Sequence, residues 1–104
     1  MEGLQGVIIE FNYGLKEDKP FYELSDKLRA LVDESGLGFY DGHEMNIDNS
    51  NGSFYLYGLD AKKLYEVVKK TIKETSFMAG ANVMLQLGSP KNGVKTVSFN
   101  LNLN

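Results

Sequence analysis

The only histidine of the chain, His43, lies between carboxylates in the segment Asp41-Gly42-His43-Glu44. An imidazole titrates near neutral pH, so a carboxylate beside it could orient it as a general base. On a strand, however, His43 and Glu44 point to opposite faces and cannot converge on one metal without a bulge. Asp41 and His43 share a face, but no serine or cysteine nucleophile motif accompanies them. We expect a structural histidine, with Asp41, His43 and Glu44 as the acid/base candidates of an enzyme.

A second candidate site is the aromatic strand Phe54-Tyr55-Leu56-Tyr57, which follows a polar segment with a strong turn signal at Asn51-Gly52. A glycine followed by alternating aromatic residues superficially resembles an RNA-recognition strand. The neighbouring charges are acidic, however, and acidic residues repel phosphate. The pattern therefore favours an aromatic surface that binds another protein, and we expect no nucleic acid.

Length and composition limit the other possibilities. A chain of 104 residues forms one domain, here 1–104. The absence of cysteine excludes disulfides, thiol catalysis and cysteine-based zinc sites. No phosphate-binding glycine motif occurs, so we expect no cofactor. We also expect no metal, because His43 and Glu44 point to opposite faces and the chain has no cysteine. Neither a signal peptide nor a membrane-spanning stretch is recognisable, which predicts a cytoplasmic protein that does not contact membranes.

Charge is divided unevenly along the chain. Residues 1–60 carry 4 basic and 12 acidic side chains, a net charge of −8, whereas residues 61–104 carry 7 basic and 2 acidic, a net charge of +5. Such a division can steer a charged partner or favour self-association. Exposed charges contribute little individually, so a solvated surface explains the division more simply.

The alternation of apolar and polar residues predicts two helices and five strands. Asp18 and Asp60 are predicted to cap the helices, and Leu59 and Leu64 to form a hydrophobic staple. The predicted elements are a strand over 4–11, a helix over 20–35, strands over 38–48 and 53–58, a helix over 60–74, and strands over 81–87 and 94–103.

This order predicts an α+β, ferredoxin-like βαββαβ fold with an extra C-terminal strand. Right-handed crossovers place both helices on one face of a five-stranded antiparallel sheet of order 5-4-1-3-2. A bulge at Gly42 would reverse the faces of the residues before it. The helix-covered face is predicted to hold Phe39, Asp41, His43, Met45 and Ile47. The open face is predicted to display Ile8, Glu10, Tyr40, Glu44, Asn46, Asp48, Tyr55 and Tyr57.

The segment from Asp41 to Glu44, the strand that ends at Gly58 and the helix start Asp60-Ala61 resemble a group of small uncharacterised bacterial proteins. In that group a DGHE strand precedes an LYLYG-type strand and a helix that begins with Asp-Ala. The resemblance implies a ferredoxin-like fold of bacterial origin and transfers no functional residue. Gly58-Leu59-Asp60 departs from the Gly-Pro-Asp of that group.

We therefore expect a non-enzymatic interaction or regulatory domain that binds a protein partner or itself, as a homodimer. Its binding residues would be Tyr40, Glu44, Tyr55 and Tyr57. A toxin-immunity inhibitor belongs to this class, since an acidic first half suits a basic enzyme. The alternatives are a small enzyme that uses the acid/base candidates above and a small-molecule sensor with its ligand at a dimer interface.

Overall fold

The computed structural model describes residues 4–88 and 95–101, which form a five-stranded antiparallel sheet and two α-helices. The elements are β1 (Gln5–Asn12), α1 (Lys19–Ser35), β2 (Gly38–Met45), β3 (Asn51–Gly58), α2 (Ala61–Lys73), β4 (Asn82–Gln86) and β5 (Thr96–Asn100). Ser76–Met78 forms a short 3-10 turn before β4. The sheet order is β2-β3-β1-β4-β5, which is the predicted order 5-4-1-3-2 read from the opposite edge and confirms it.

The core lies between one face of the sheet and the two helices, which pack against that face and against each other. Three phenylalanines form its centre, with ring centroids of Phe54 5.1 Å from Phe11 and 5.3 Å from Phe21. Alternate residues of each strand point to this face, because the side chains of a strand alternate in direction. The strand residues buried here are Val7, Ile9, Phe11, Phe54, Leu56, Val83 and Leu85.

Helix α1 begins with a cap that the sequence pattern did not predict. Asp18 occupies the capping position, but its side chain makes no capping hydrogen bond and accepts one from Asn49 Nδ2 at 2.8 Å. The phenol oxygen of Tyr13 instead accepts the backbone N–H of Phe21 at 3.3 Å and donates to the carbonyl oxygen of Glu17. The predicted capping position of Asp18 is confirmed, but the buried tyrosine, and not the Asp18 carboxylate, accepts an N–H of the first turn.

Helix α2 begins as predicted at Asp60, whose carboxylate accepts the N–H of Lys63 at 3.1 Å. Gln5 of β1 accepts the N–H of Ala61 at 2.9 Å and donates to the carbonyl of Leu87 at 3.1 Å. The side-chain amide of Gln5 therefore connects the start of α2 to the start of β1 and to the residue that follows β4. The predicted staple does not form, because Leu59 is 74% exposed.

The turn between β2 and β3 lies earlier than the Asn-Gly signal predicts. Asn49, with φ of 61°, takes the left-handed conformation, and the N–H of Asn46 bonds to the carbonyl of Asn51 at 3.0 Å. Asn51-Gly52 is already part of β3. Ile47, predicted on the covered face, therefore lies in the turn and is fully exposed.

A β-bulge interrupts β2 between Tyr40 and Gly42, where the pairing with β3 shifts by one residue. Gly42 has φ of +131°, a conformation that L-residues rarely adopt. The bulge reverses the two residues before it, so Tyr40 lies on the helix side and Phe39 on the open face. The placement predicted for a regular strand was therefore wrong for these two residues, and the reversal expected from a bulge at Gly42 is confirmed.

Strand β5 pairs antiparallel with β4 from Thr96 to Asn100 and forms one edge of the sheet. It is shorter than the predicted strand over 94–103. Residue 94 and residues 102–104 lie outside the described part of the chain. Among the described residues, no helix is both long and apolar enough to cross a bilayer.

Candidate functional site

The open face of the sheet is built in rows, because residues paired across strands lie side by side. The middle row, Tyr55–Ile8–Met84–Ser98, crosses β3, β1, β4 and β5. One side of it carries the row Phe39–Tyr57–Gly6–Gln86–Thr96, and the other side the row Glu44–Ser53–Glu10–Asn82–Asn100. Apolar and aromatic side chains thus occupy the middle and one end of the face, while carboxylates and amides occupy the other end.

The aromatic end is packed tightly against the sheet. The ring centroids of Tyr57 and Phe39 lie 6.0 Å apart, and a Cβ added to Gly6 would lie 3.0 Å from Cε1 of Tyr57. The ring of Tyr57 therefore lies across Gly6, and a larger residue at position 6 would prevent this packing. Burial, followed by the negative charge of Asp41 and the proximity of the Tyr55 phenol, raises the pKa of Tyr57. Its hydroxyl stays protonated at neutral pH and can donate a hydrogen bond.

The polar end carries negative charge with no compensating cation in the sheet. Glu10 and Glu44 flank Ser53, and none of the five strands, as described, contains lysine or arginine. Next to this row lies a depression of about 350 Å³ lined by Glu10, Asn12, Asn51, Ser53, Gly80 and Asn82 among others. This end of the face therefore offers carboxylates, which accept hydrogen bonds, beside amides and a hydroxyl that both donate and accept.

His43 lies elsewhere, on the helix side at the edge of the sheet. Its Nδ1 is 3.1 Å from the hydroxyl of Tyr40, which is 2.7 Å from Oγ of Ser25 in α1. The imidazole also packs edge-on against Phe21, at 4.8 Å between ring centroids. The guanidinium of Arg29 lies over the Tyr40 ring at 4.9 Å. These contacts tie α1 to β2 through a chain of hydrogen bonds.

Along this series of hydrogen bonds Ser25 is buried, Tyr40 is half-buried and His43 is mostly exposed, and the remaining burial still shifts two pKa values. Burial, followed by the positive charge of Arg29, lowers the pKa of His43. Burial raises the pKa of Tyr40, although the hydrogen bond from Ser25 and the charge of Arg29 act in the opposite direction. The imidazole is therefore neutral at pH 7, and Ser25, only 2% exposed, is closed to a substrate.

The structure does not bring the three acid/base candidates together. His43 pairs with Phe54 on the helix side, whereas Glu44 pairs with Ser53 on the open face. Asp41 is the exposed extra residue of the bulge, and its charge acts on Tyr57. No group of three or more His, Asp or Glu side chains that could hold a metal occurs within 4–88 and 95–101.

The predicted binding residues also lie on two different faces of the sheet. Tyr55, Tyr57 and Glu44 lie on the open face, whereas Tyr40 faces α1. Sequence reasoning missed Phe39, which the bulge turns outward, and Ser25. The signal for Ser25 was present, since it follows Leu24 and precedes Leu28 on the buried stripe of α1. A small polar residue on such a stripe predicts a buried hydrogen-bond partner.

Comparisons with known proteins bear on the fold. No protein-family model matches the chain, and no curated protein matches its sequence. A solved structure that is similar to this fold is named "Putative antibiotic biosynthesis monooxygenase from Nitrosomonas europaea". It superimposes with a TM-score of 0.58 over 97% of this chain and 92% of its own, at 9% identity. The ferredoxin-like α+β class is thereby supported.

A second structure is LarC2, the C-terminal domain of a cyclometallase involved in synthesis of the NPN cofactor of lactate racemase. Its TM-score is 0.33 and its identity 13%, over 94% of this chain and 56% of its own. That score is too low to establish a common fold.

Proposed function

We propose that this protein is a non-enzymatic interaction domain that pairs with a second copy of itself through the open face of its sheet. The observation that supports this most is the row of Tyr55, Ile8 and Met84, which neither α1 nor α2 covers. A sheet face with an apolar middle and a polar end is typical of a surface that is buried against another protein.

Charge favours one arrangement of the two copies. A two-fold axis parallel to the strands would place the carboxylate row of one copy against that of the other, and like charges repel. A two-fold axis across the strands, along the middle row, places the carboxylate row against the partner's row of Tyr57 and Gln86. The phenol and amide can then donate hydrogen bonds to the carboxylates of Glu10 and Glu44.

The size of the face sets the expected strength of the dimer. Five strands span about 24 Å, and strands of eight residues about 27 Å, so the pair buries on the order of 1,200 Å² in total. That value lies at the lower limit for specific interfaces. We therefore expect a reversible dimer with a Kd of about 1–100 μM rather than a permanent one.

The alternatives have less support. A small enzyme would need His43, Asp41 and Glu44 to converge, and they lie on different faces. The Nitrosomonas protein is named as an enzyme, but at 9% identity the similarity supports a common fold and not a common activity. Nothing in the comparisons bears on toxin immunity or on a sensor role, which stay predictions.

Sedimentation equilibrium over about 1–500 μM protein tests the proposal. We expect a monomer–dimer equilibrium that Tyr55→Glu weakens at least tenfold, because the substitution places a carboxylate in the apolar row of both copies. The matched control is Tyr22→Glu on the exposed surface of α1, where Tyr22 is 51% exposed. A wild-type protein that stays monomeric throughout, or equal weakening by both variants, would contradict the proposal.

A further inference from the structure

A groove runs between α2 and β5 on the helix side of the sheet, away from the open face. One part, of about 390 Å³, is lined by Lys62, Lys63, Tyr65, Glu66, Leu85 and Phe99. A second part, of about 280 Å³, adjoins it at Tyr65 and Phe99. It adds Lys69, Lys73, Asn100 and Leu101 to the lining. Lys62 and Lys73 are separated by eleven helical steps, so the groove extends over about 17 Å.

The floor of the groove is apolar. The rings of Tyr65 and Phe99 meet edge to face, with centroids 5.3 Å apart. Leu85 and Leu101 are each 5% exposed and close the floor beneath the rings. Phe99 is only partly buried against the core, so part of its ring faces the groove. An apolar chain laid here would displace water from aromatic and aliphatic carbon.

The rim of the groove is cationic. Four lysines and one glutamate line its two parts, a net charge of +3. Glu66 lies 3.8 Å from Nζ of Lys69. In the described part of the chain no ion pair involves Lys62, Lys63 or Lys73. An anionic group at the rim would therefore meet ammonium groups that have no carboxylate partner.

The hydroxyl of Tyr65 adds a donor at the same place. The side chain is 6% exposed, and within the described residues its oxygen has no hydrogen-bond partner. Tyr65 lines both parts of the groove. Burial, followed by the charge of Glu66, raises its pKa and keeps it protonated. It can donate to an anionic headgroup.

We propose that this groove binds a single-chain anionic amphiphile, of which a medium-chain fatty acid is the simplest. The alkyl chain lies on the Tyr65–Phe99 floor, and the carboxylate contacts the lysines at the rim. Charge complementarity distinguishes this ligand from a neutral or cationic amphiphile with the same chain. The groove and the open face are separate surfaces, so this proposal and that of self-pairing can fail independently.

The test uses ¹⁵N-labelled protein titrated with dodecanoate below its micellar concentration. We expect saturable chemical-shift changes along α2 and β5. Dodecyltrimethylammonium has the same chain with the opposite charge, and butyrate has the same headgroup with a short chain. We expect each to bind at least tenfold more weakly than dodecanoate. Equal binding of dodecanoate and dodecyltrimethylammonium, or shifts confined to the open face, would overturn the proposal.

Two variants locate the headgroup. Lys62→Gln combined with Lys63→Gln should weaken dodecanoate binding about three- to tenfold, the effect expected of two exposed charges. Lys27→Gln on α1 removes a lysine distant from the groove and should leave the affinity unchanged. Circular dichroism confirms the fold of each variant. Equal dodecanoate affinities in the wild type and both variants would overturn the proposal. Chemical-shift changes of the groove residues on dilution of ligand-free protein would also overturn it, because a second copy of the protein would then cover the groove.

Discussion

At the scale of single residues, Tyr40 does the most to join helix to sheet. Its hydroxyl bonds both to Ser25 of α1 and to His43 of β2, and its ring lies beneath Arg29. A buried serine without a partner would cost more than the net gain from one hydrogen bond, because its hydroxyl would be desolvated without compensation. The chain Ser25–Tyr40–His43 is therefore structural.

Replacement of Tyr40 by Phe tests this role. The variant removes both hydrogen bonds while it keeps the ring, and we expect it to lower the free energy of unfolding by about 1–2 kcal/mol. Urea denaturation measures the change. Tyr22→Phe removes an exposed hydroxyl with no hydrogen bond among the described residues and should change the stability by less than about 0.5 kcal/mol. A Tyr40→Phe protein as stable as the wild type would refute the role.

His43 should make stability depend on pH in a defined direction. Its pKa in the folded protein is lowered from 6.5, so the unfolded chain binds the proton more readily. This contribution is complete above pH 6.5 and is lost as the pH falls through that value towards the folded pKa. Carboxylates titrate mostly at lower pH.

The comparison of wild type with His43→Gln isolates this effect. Between about pH 7.5 and about pH 5.5 the wild type should lose more stability than the variant, which cannot be protonated in that range. Urea midpoints at the two pH values give the difference. Equal losses in the two proteins would show that the imidazole titrates as it does in the unfolded chain.

At the scale of elements, the bulge in β2 decides which side chains form each surface. It turns Phe39 towards Tyr57 and Tyr40 towards Ser25. Without it both aromatic residues would exchange faces, and the hydrogen bonds to Ser25 and His43 would be lost. The positive φ of Gly42 permits this geometry.

Gly42→Ala should therefore destabilise the protein through backbone strain, not through collision. A Cβ at this position would have no heavy atom within 4 Å, yet φ is +131°. We expect a loss of about 1–3 kcal/mol in the free energy of unfolding, measured by denaturation. Asp41→Ala, at the exposed neighbouring position, serves as the control and should be nearly neutral. An unchanged Gly42→Ala protein would show that the bulge tolerates an alanine.

The sequence patterns predicted the elements well because each has a strong periodicity. Right-handed crossovers then left few arrangements, and the sheet order follows from them. The sheet face predicted for Tyr40 was wrong because one bulged residue inverts the alternation of side chains. The short pattern around Gly42 is compatible with a regular strand and with a bulged one. The predicted position of the turn was wrong because Asn49 and Asn51-Gly52 can both adopt the left-handed conformation. The backbone N–H groups of Tyr13 and Gly14 bond to the carbonyls of residues 50 and 49, and these contacts favour the turn at Asn49.

At the scale of the whole molecule, the described residues form a sheet with one face covered by the two helices and the other face left open. The middle row of the open face, which contains Tyr55, Ile8 and Met84, would lie on the two-fold axis of the proposed dimer. Residues on such an axis meet their own copies. Met84 would then meet Met84 of a second copy, whereas Glu10 would lie opposite Gly6.

Site-specific crosslinking tests this arrangement most directly, because the chain has no cysteine of its own. Packed sheets lie about 10 Å apart, so a short bis-maleimide can join facing positions. Met84→Cys should form a covalent dimer at concentrations where the wild type associates, while Glu10→Cys and the surface control Lys27→Cys should remain monomeric. Efficient crosslinking through Glu10→Cys but not through Met84→Cys, or through neither, would contradict self-pairing about the middle row.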